Sequence, residues 1–518
     1  MTTPQSKTST PQYRVIMNWD GDDALSQAEV PMSRDKLVDV LYGGLEGTAV
    51  DCAFWNGSAG STAFYPSEVL EFKGDADGGG CDGVMPWRSI ANARAMIQRG
   101  EDPNESAIAG AREKGLDIFY SCRMNDQHQD PTDMPRLKRE HPELRLGDTV
   151  PPWFSTSWDY THARVREHRL DMVRELADNY DFDGIELDWQ RHAHHLPVHH
   201  AFRRRYVLTD FMRLARQIVR QAGERRGRPL WLAARVAASH EACLHVGYDV
   251  EQWVEEELVD YLIPSACAEM DSSLDGRWWV ELCRDRPIRV YPSLGGFFYN
   301  ETHGTGDQET HFQNAVRAVA ARLLAEGVDG LYTFNWYTQQ RLRHTLLAQM
   351  GAAATLARAS KTYISTVRVY RAPGSGFAGI DDQDRIYGEV PVELHPTTTE
   401  VGPIIRWNVV DDAPAAAADG QLEGITLRLH LQDWSTRDTL AVHYDGRALG
   451  EPTIRFPQSL DKNTTGEVGN VAWIEYALAP EAGAPGDHTV QVCLRQRNPD
   501  LSGPLVLRDV DLESVYRE

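Results

Sequence analysis

The sequence has no apolar run of the roughly 18 residues that a membrane-spanning helix needs. Its first twelve residues, MTTPQSKTSTPQ, are polar and lack the apolar stretch of a secretory signal. These two absences argue against a membrane partner, and they predict a cytoplasmic protein. We expect residues 1–12 to be disordered ahead of the first folded domain.

Paired cysteines and excess positive charge are also missing. The seven cysteines are scattered singly, without CxxC spacing, so we expect reduced and mostly buried thiols. Lys and Arg number 53 against 76 Asp and Glu, a net charge of −23, which disfavours nucleic acid as a partner. Neutral substrates fit this balance better, although a local arginine cluster could still hold an anion. The glycine-rich run at 75–83 has neither the lysine nor the strand-to-helix position of a phosphate-binding loop, and no cofactor is predicted.

What the chain does contain, from residue 13 to residue 360, is an alternation of short strand-like runs with longer amphipathic stretches. The eight runs are Arg14–Trp19, Val50–Trp55, Leu116–Cys122, Phe182–Trp189, Leu230–Val236, Val259–Pro264, Ile288–Ser293 and Gly330–Trp336. The helical stretches among and after them include Ala163–Asn179, Ala201–Ala222, Val250–Leu258, Thr310–Glu326 and Gln339–Arg358. This pattern predicts an α/β fold, a (β/α)8 TIM barrel over residues 13–360.

From residue 361 to residue 518 the helical periodicity stops, and strand-like runs separated by Gly, Pro, Asp and Asn turns replace it. We predict an appended all-β sandwich domain over residues 361–518, with Ala413–Gly420 as an exposed, linker-like loop. The sequence leaves the oligomeric state open, a homo-oligomer included.

Polar and aromatic residues cluster around the carboxyl ends of the predicted barrel strands, where the active sites of such barrels are built. We expect these side chains to form the substrate-binding lining: Asn18, Asp20, Trp55, Arg123, Asn125, Asp126, His128, Trp158, Tyr160, Arg191, His192, Arg235, Tyr291, Asn335 and Trp336.

The densest polar segment is the fourth strand, in the run DFDGIELDWQRH. Side chains alternate along a strand, so Glu186 and Asp188 share one face while the apolar residues between them share the other. The apolar set must face the helices, which turns both carboxyl groups into the barrel, where their repulsion raises at least one pKa. The alternative is a structural carboxylate paired with an arginine such as Arg123, Arg191 or Arg235.

This segment resembles glycoside hydrolases. The run from Asp183 to His192 is similar to the strand-four motif DGxRxDxxxH of the alpha-amylase superfamily, which implies that Asp188 is the nucleophile, although Glu186 stands where that motif has arginine. It also resembles the DGxDxDxE motif of family 18 chitinases, with Gln190 in place of the catalytic glutamate. The wider chain contains the runs RVIMNWDGDD, SCRMNDQHQD, WFSTSWDYTHARVREHRLDMVREL and DGIELDWQRH. With these runs and the appended β domain, it resembles bacterial family 10-like or hypothetical glycosyl hydrolases, which implies a carbohydrate substrate.

A glycosidase needs a second carboxyl group across the scissile bond. Glu186 and Asp188 could form an inverting pair, but a partner from another loop is mechanically more natural. Glu269, after strand six, is the preferred acid and Glu241, after strand five, the second candidate. Glu186 would then hold a sugar hydroxyl or tune Asp188. We predict cleavage of an oligosaccharide or glycoconjugate by carboxyl groups drawn from these four.

Two other functions fit parts of the sequence. The histidines after strand four could ligate a metal and serve a hydrolase or lyase; they are His192, His194, His195, His199 and His200. We prefer a site without metal, because these histidines lie on a loop rather than at helical spacing, and because strand one lacks the HxH of metal amidohydrolases. The second alternative is a non-catalytic carbohydrate-binding protein on a degenerate barrel, which Gln190 makes credible.

Overall fold

The computed structural model describes residues 10–19, 23–75, 81, 83–126, 134–267, 270–296, 308–336, 340–365, 389–455 and 471–517. The chain divides into two compact units. The first comprises Met1–Phe297, Glu326–Gly351 and Arg371–Arg385; the second comprises Phe298–Ala325, Ala352–Tyr370 and Ile386–Glu518. The domain boundaries expected at residues 12 and 360 remain predictions.

The first unit contains one large parallel sheet. Its strands are, in chain order, β1 (Val15–Trp19), β2 (Val50–Trp55), β3 (Ser58–Ala59), β4 (Thr62–Ala63), β5 (Glu71–Phe72), β6 (Asp117–Arg123), β7 (Gly184–Asp188), β8 (Trp231–Ala237), β9 (Tyr261–Ser265), β10 (Arg289–Val290), β11 (Ser293–Gly295) and β12 (Leu331–Phe334). Nine of them form the parallel sheet in the order β10-β9-β8-β7-β6-β2-β1-β12-β11, while β3, β4 and β5 form a small sheet of their own. The curled nine-stranded sheet is consistent with a TIM-like barrel.

The predicted seventh strand, Ile288–Ser293, is divided in two. Its first half, β10, pairs with β9, and its second half, β11, pairs with β12. Tyr291 and Pro292 lie between the halves, and proline has no N–H to donate to a strand ladder. The two ends of the sheet, β10 and β11, are therefore adjacent in the chain, and no strand pairing joins them directly among the described residues.

Helices connect most of the parallel strands. The helices of the described chain are α1 (Asp23–Ser26), α2 (Arg34–Tyr42), α3 (Val84–Gln98), α4 (Pro103–Glu113), α5 (Arg136–Glu140), α6 (Ala163–Asn179), α7 (Ala201–Arg204), α8 (Tyr206–Arg226), α9 (His240–Val246), α10 (Val250–Glu255), α11 (Gly276–Leu282), α12 (Gln308–Ala325), α13 (Gln340–Gln349), α14 (Ala353–Leu356) and α15 (Ala413–Ala418). In α8 the buried residues recur at three- and four-residue spacing, from Val207 to Val219, and Gly227 ends the helix with a left-handed φ of 68°. No helix among the described residues is long and apolar enough to cross a membrane.

Aromatic residues fill the amino-terminal half of the parallel sheet's interior. The rings of Phe54 and Phe119 stack at 4.6 Å, and Tyr332 packs edge-on against Phe54. Nearer the amino-terminal ends of the strands, Tyr13, Tyr261 and Tyr291 form a second aromatic layer. These aromatic side chains occupy the amino-terminal half of the interior, so polar side chains lie in its carboxyl-terminal half.

The second unit holds two antiparallel sheets. Its strands are β13 (Lys361–Ile364), β14 (Val392–Leu394), β15 (Ile404–Val409), β16 (Leu422–Gln432), β17 (Thr439–Tyr444), β18 (Arg447–Ala448), β19 (Thr453–Arg455), β20 (Val471–Leu478), β21 (Gly486–Gln496) and β22 (Leu505–Tyr516). One sheet is ordered β13-β22-β16-β20-β19 with β14 also on β22, and the other is ordered β15-β21-β17-β18. Leucines of β16 and valines of β21 lie in the same apolar core.

The prediction of an exposed loop at 413–420 is wrong in part, because residues 413–418 form helix α15. The Asp412 side chain caps this helix by accepting the backbone N–H of Ala415, and a proline occupies its first turn. Ala413 and Ala416 are buried. Small apolar residues thus serve here as a packed helical face.

Candidate active site

The inner face of β7 carries two fully buried carboxyl groups, those of Glu186 and Asp188. The parallel register places Ser121 of β6 beside Glu186, and it places Arg123 of β6 and Arg235 of β8 on either side of Asp188. Asp188 is the last residue of its strand. The pair therefore lies at the carboxyl ends of the strands, where the sequence predicted it.

Asp188 is held through one oxygen. Its Oδ1 accepts hydrogen bonds from the backbone N–H groups of Gln190 at 3.0 Å and Arg191 at 2.9 Å, and from Arg235 Nη1 at 2.7 Å. Its Oδ2 has no hydrogen-bond partner among the described residues. The three donors fix the orientation of the carboxylate and leave its second oxygen for a ligand.

Arg235 is itself immobilised. Its Nε donates to Ser265 Oγ at 3.1 Å, its Nη2 donates to the carbonyls of Ala266 and Cys267, and its guanidinium lies 3.8 Å from the centre of the Phe334 ring. Both Arg235 and Asp188 are almost fully buried. The arginine pairing considered from the sequence is therefore present, but it engages only one of the two Asp188 oxygens.

Glu186 lies one inward position deeper than Asp188. Burial and the nearby charge of Asp188 raise the pKa of Glu186 to about 8. Its Oε2 accepts hydrogen bonds from Ser121 Oγ and, at 3.3 Å, from Tyr332 Oη, while Oε1 has no partner among the described residues. At neutral pH Glu186 thus carries a proton that it can donate.

Asn18 adds another unsatisfied group to the inner face. It is the fourth residue of β1, it is 1% exposed, and neither atom of its amide has a hydrogen-bond partner among the described residues. A buried polar group without a partner costs about 1–3 kcal/mol. Asn18, Glu186 and Asp188 therefore offer both donors and acceptors to a polar ligand.

A second cluster lies beside this pair. Arg123 forms an ion pair with Asp126 Oδ2, and Asp126 Oδ1 lies 3.2 Å from His192 Nδ1. Asn125 braces the same loop, accepting the N–H of Trp158 and donating to the carbonyls of Trp158 and His194. All of these side chains are buried. The loop ends after strands β6 and β7 are thereby fixed against each other.

Two of the histidines considered as alternative metal ligands lie in packing positions. His194 contacts the ring of Phe154, and His195 packs against Tyr160 and Trp189. Burial lowers the pKa of His195 to about 3, so this ring is neutral. His199 and His200 are exposed. Among the residues that the structure describes, no group of three or more His, Cys, Asp or Glu side chains is placed to hold a metal ion.

Four aromatic residues expected to bind substrate are buried with their polar atoms bonded inside the protein. Trp55 donates to Asn104, Trp158 to Ser61, Tyr160 to the Met124 carbonyl and Trp336 to the Leu294 carbonyl. None of these contacts places a ring beside Asp188.

Other predicted residues are distributed around the first unit. Tyr291 lies in the second aromatic layer, where its hydroxyl accepts the Tyr13 N–H at 2.7 Å. Glu241 is exposed in the first turn of α9. Asn335 follows β12 with a left-handed φ of 60°, a strained conformation that often marks functional loops. Asp20, His128 and Glu269 lie outside the described residues.

Four residues near the pair were missed by the sequence analysis: Ser121, Ser265, Tyr332 and Phe334. Each lies two residues along its strand from another inward-facing residue, as Ser121 does from Phe119 and Arg123, and so faces inward as well. The same parity that located Glu186 and Asp188 could have found them.

No family model matches the chain, and no curated protein matches it. Among solved structures, the chain is similar to the glycoside hydrolase domain of PgaB (BpsB) from Bordetella bronchiseptica, with a TM-score of 0.42 and 10% identity over 66% of this chain and 99% of that one. It is also similar to α-L-fucosidase isoenzyme 2 from Paenibacillus thiaminolyticus, with a TM-score of 0.40 and 13% identity over 71% of this chain and 55% of that one.

A third similar structure is the cycloisomaltooligosaccharide glucanotransferase from a Paenibacillus species, with a TM-score of 0.36 and 10% identity over 96% of this chain and 57% of that one. The chain thus spans little more than half the length of the glucanotransferase and of the fucosidase. Glycoside hydrolases recur among the similar structures, but likenesses at these scores assign no reaction.

Proposed function

We propose that the chain is a glycoside hydrolase that cleaves an oligosaccharide or a glycoconjugate. The observation that carries this proposal is the pair of buried carboxyl groups on β7, one protonated at neutral pH and one held beside an arginine. Glycoside hydrolysis relies on buried, oriented carboxyl groups, one of which attacks the sugar or activates a water molecule. Their unpartnered oxygens provide the atoms that would meet the substrate.

Asp188 is the proposed nucleophile or base. As a nucleophile, Oδ2 would bond to the anomeric carbon while the bond to the leaving oxygen breaks, and water would later hydrolyse the ester. As a base, Oδ2 would take a proton from the attacking water. In both cases the three donors on Oδ1 keep the carboxylate oriented throughout the reaction.

Glu186 has a supporting part in this proposal. Because it is neutral at pH 7, it can donate a hydrogen bond to a sugar hydroxyl without placing a second negative charge beside Asp188. Ser121 and Tyr332 hold its other oxygen. Glu186 therefore tunes the charge of the site and can position the sugar.

The proposed general acid is Glu269, as the sequence analysis prefers. Glu269→Gln should abolish cleavage of glycosides with poor leaving groups, which need protonation to depart. An activated aryl glycoside should still be cleaved at the first step, as a burst measurement would show. Equal loss on both substrate types would remove Glu269 from this role, and selective loss in Glu241→Gln would transfer the role to Glu241.

A screen of aryl glycosides and natural oligosaccharides, with product stereochemistry followed by NMR, tests the proposed function. On the substrate that emerges, the anomeric configuration of the first product released by wild type distinguishes the two roles of Asp188. Retention of configuration would identify a nucleophile, and inversion would favour a base. Tight binding of sugars without any cleavage by the wild-type protein would instead support the non-catalytic alternative.

A further inference from the structure

The segment that follows β7 of the candidate site contains no acidic residue. In a chain with 76 Asp and Glu among 518 residues, no Asp or Glu occurs in the twenty-one residues from Trp189 to Thr209. The same stretch contains four arginines and five histidines. It connects the carboxyl end of β7 to helix α8, so it lies at the end of the sheet where the paired carboxyl groups are.

The middle of this stretch is exposed. His199, His200, Arg203 and Arg204 are all exposed, and neither arginine forms an ion pair with a described residue. Arg205 differs, because it pairs with Asp249 at 2.7 Å. Two guanidinium groups without an ion-pair partner among the described residues and two imidazole rings thus face solvent on a chain of net charge −23.

Two large aromatic rings accompany these charges. Phe202 is 51% exposed and Tyr206 is 59% exposed, although side chains of this size usually pack away from water. They are four residues apart in nearly continuous helix, so they lie on one face, one turn from each other. Arg205 packs over the Phe202 ring at 4.5 Å and steadies it. We call the exposed residues His199, His200, Phe202, Arg203, Arg204 and Tyr206 the basic rim.

We propose that the basic rim binds the acidic groups of a polysaccharide whose chain extends from the Asp188 site, which makes an anionic glycan the substrate class. This inference rests on the proposed function, because it is the neighbouring carboxyl pair that assigns the rim to a sugar polymer. The arginines would pair with carboxylate or sulfate groups, and the exposed rings would pack against the apolar faces of sugar residues.

Charge also favours a polysaccharide over nucleic acid. Duplex DNA carries one charge per about 1.7 Å and would be repelled strongly by a chain of net charge −23. A polysaccharide with one acidic group per sugar has a lower line charge. The local attraction of the rim acts within a screening length of about 8 Å, so it can hold such a polymer despite the overall charge.

The test compares binding of the full chain to four polymers by affinity electrophoresis: polygalacturonate, dextran sulfate, neutral dextran and duplex DNA. We expect binding to an acidic polysaccharide that weakens with salt, and no binding to dextran. Arg203→Ser/Arg204→Ser should weaken it at least about tenfold. The control Arg225→Ser/Arg284→Ser removes two exposed, ion-paired arginines elsewhere on the same unit and should change binding less than about twofold.

The carboxylate and sulfate arms identify which anionic group is bound. Equal binding by the rim variant and wild type, equal binding to neutral dextran, or tighter binding to DNA would each overturn the inference. Hydrolysis of a small aryl glycoside is measured on the same proteins and should be unchanged in the rim variant. Absence of hydrolysis in wild type would refute the proposed function separately, whatever the binding result.

Discussion

Glu186 links the stability of the protein to pH. Its pKa is raised from an ordinary value of 4.5 to about 8 in the folded chain, so between these values the folded state binds a proton that the unfolded state lacks. The free energy of unfolding therefore falls as pH rises through this window. Glu186→Gln cannot ionise, and its stability relative to wild type should increase from pH 5 to pH 8, by up to about 1.4 kcal/mol per pH unit.

Urea unfolding of both proteins at three pH values measures this difference. The control is Glu186→Asp, which shortens the side chain but keeps an ionisable group and should retain part of the pH dependence. Parallel stability curves for wild type and Glu186→Gln would show that Glu186 does not hold a proton at neutral pH.

At the residue scale, alternation along β7 was sufficient to predict that Glu186 and Asp188 face inward. It was not sufficient for Trp55, which ends β2 but alternates with the inward Phe54 and so faces Asn104 of helix α4. The alternation of side chains along β2 could have predicted that Trp55 faces outward. The sequence of its strand could not show at which end of the sheet the Tyr291 side chain lies. That position depends on pairing with strands that are distant in sequence.

At the element scale, Gly184 is the residue on which β7 depends for its packing. A Cβ at this position would overlap the ring of Phe119, which is itself stacked on Phe54. Gly184→Ala should destabilise the protein by about 1–3 kcal/mol and lower activity, because Asp188 lies on the same strand. Gly44→Ala is the matched control, since a Cβ there meets nothing within 4 Å, and it should change stability by less than about 0.5 kcal/mol.

Denaturation midpoints of wild type and both glycine variants measure these stability changes. A Gly184→Ala protein as stable as wild type would mean that the Phe119 ring moves freely, contrary to the packed interior described above.

Long, periodic elements were the most predictable from sequence. Helix α6 has the predicted bounds, Ala163–Asn179, because its apolar positions recur with a clear period. The stretch predicted as one helix over Ala201–Ala222 is α7 and α8, with Arg205 between them. The break in strand seven and the packing of α15 depend on tertiary partners, which local composition does not reveal.

At the scale of the whole molecule, we expect the second unit to contribute stability rather than to bind substrate. Lys361 and Asp411 form a buried ion pair in this unit, with Nζ and Oδ1 2.8 Å apart. Burial lowers the pKa of Lys361 and raises the pKa of Asp411. Lys361→Met leaves the carboxylate without its cation and should cost about 3–5 kcal/mol of unfolding free energy in this unit.

Thermal unfolding and steady-state kinetics of the full chain test this prediction. Lys361→Met should lower the unfolding temperature and leave KM unchanged. Lys361→Met/Asp411→Asn, which removes both charges, should recover part of the loss. A change in KM that accompanies a small stability loss would instead connect the second unit to substrate binding.

The most direct test of the proposed chemistry is the turnover of Asp188→Asn on the substrate found by the screen. The amide keeps the size of the side chain, so circular dichroism should show an intact fold. Turnover should fall at least about a thousandfold, roughly 4 kcal/mol of transition-state stabilisation. Asp171→Asn, an exposed aspartate on helix α6, is the control and should keep wild-type turnover. An Asp188→Asn protein with a tenth of wild-type activity would contradict a catalytic role for Asp188.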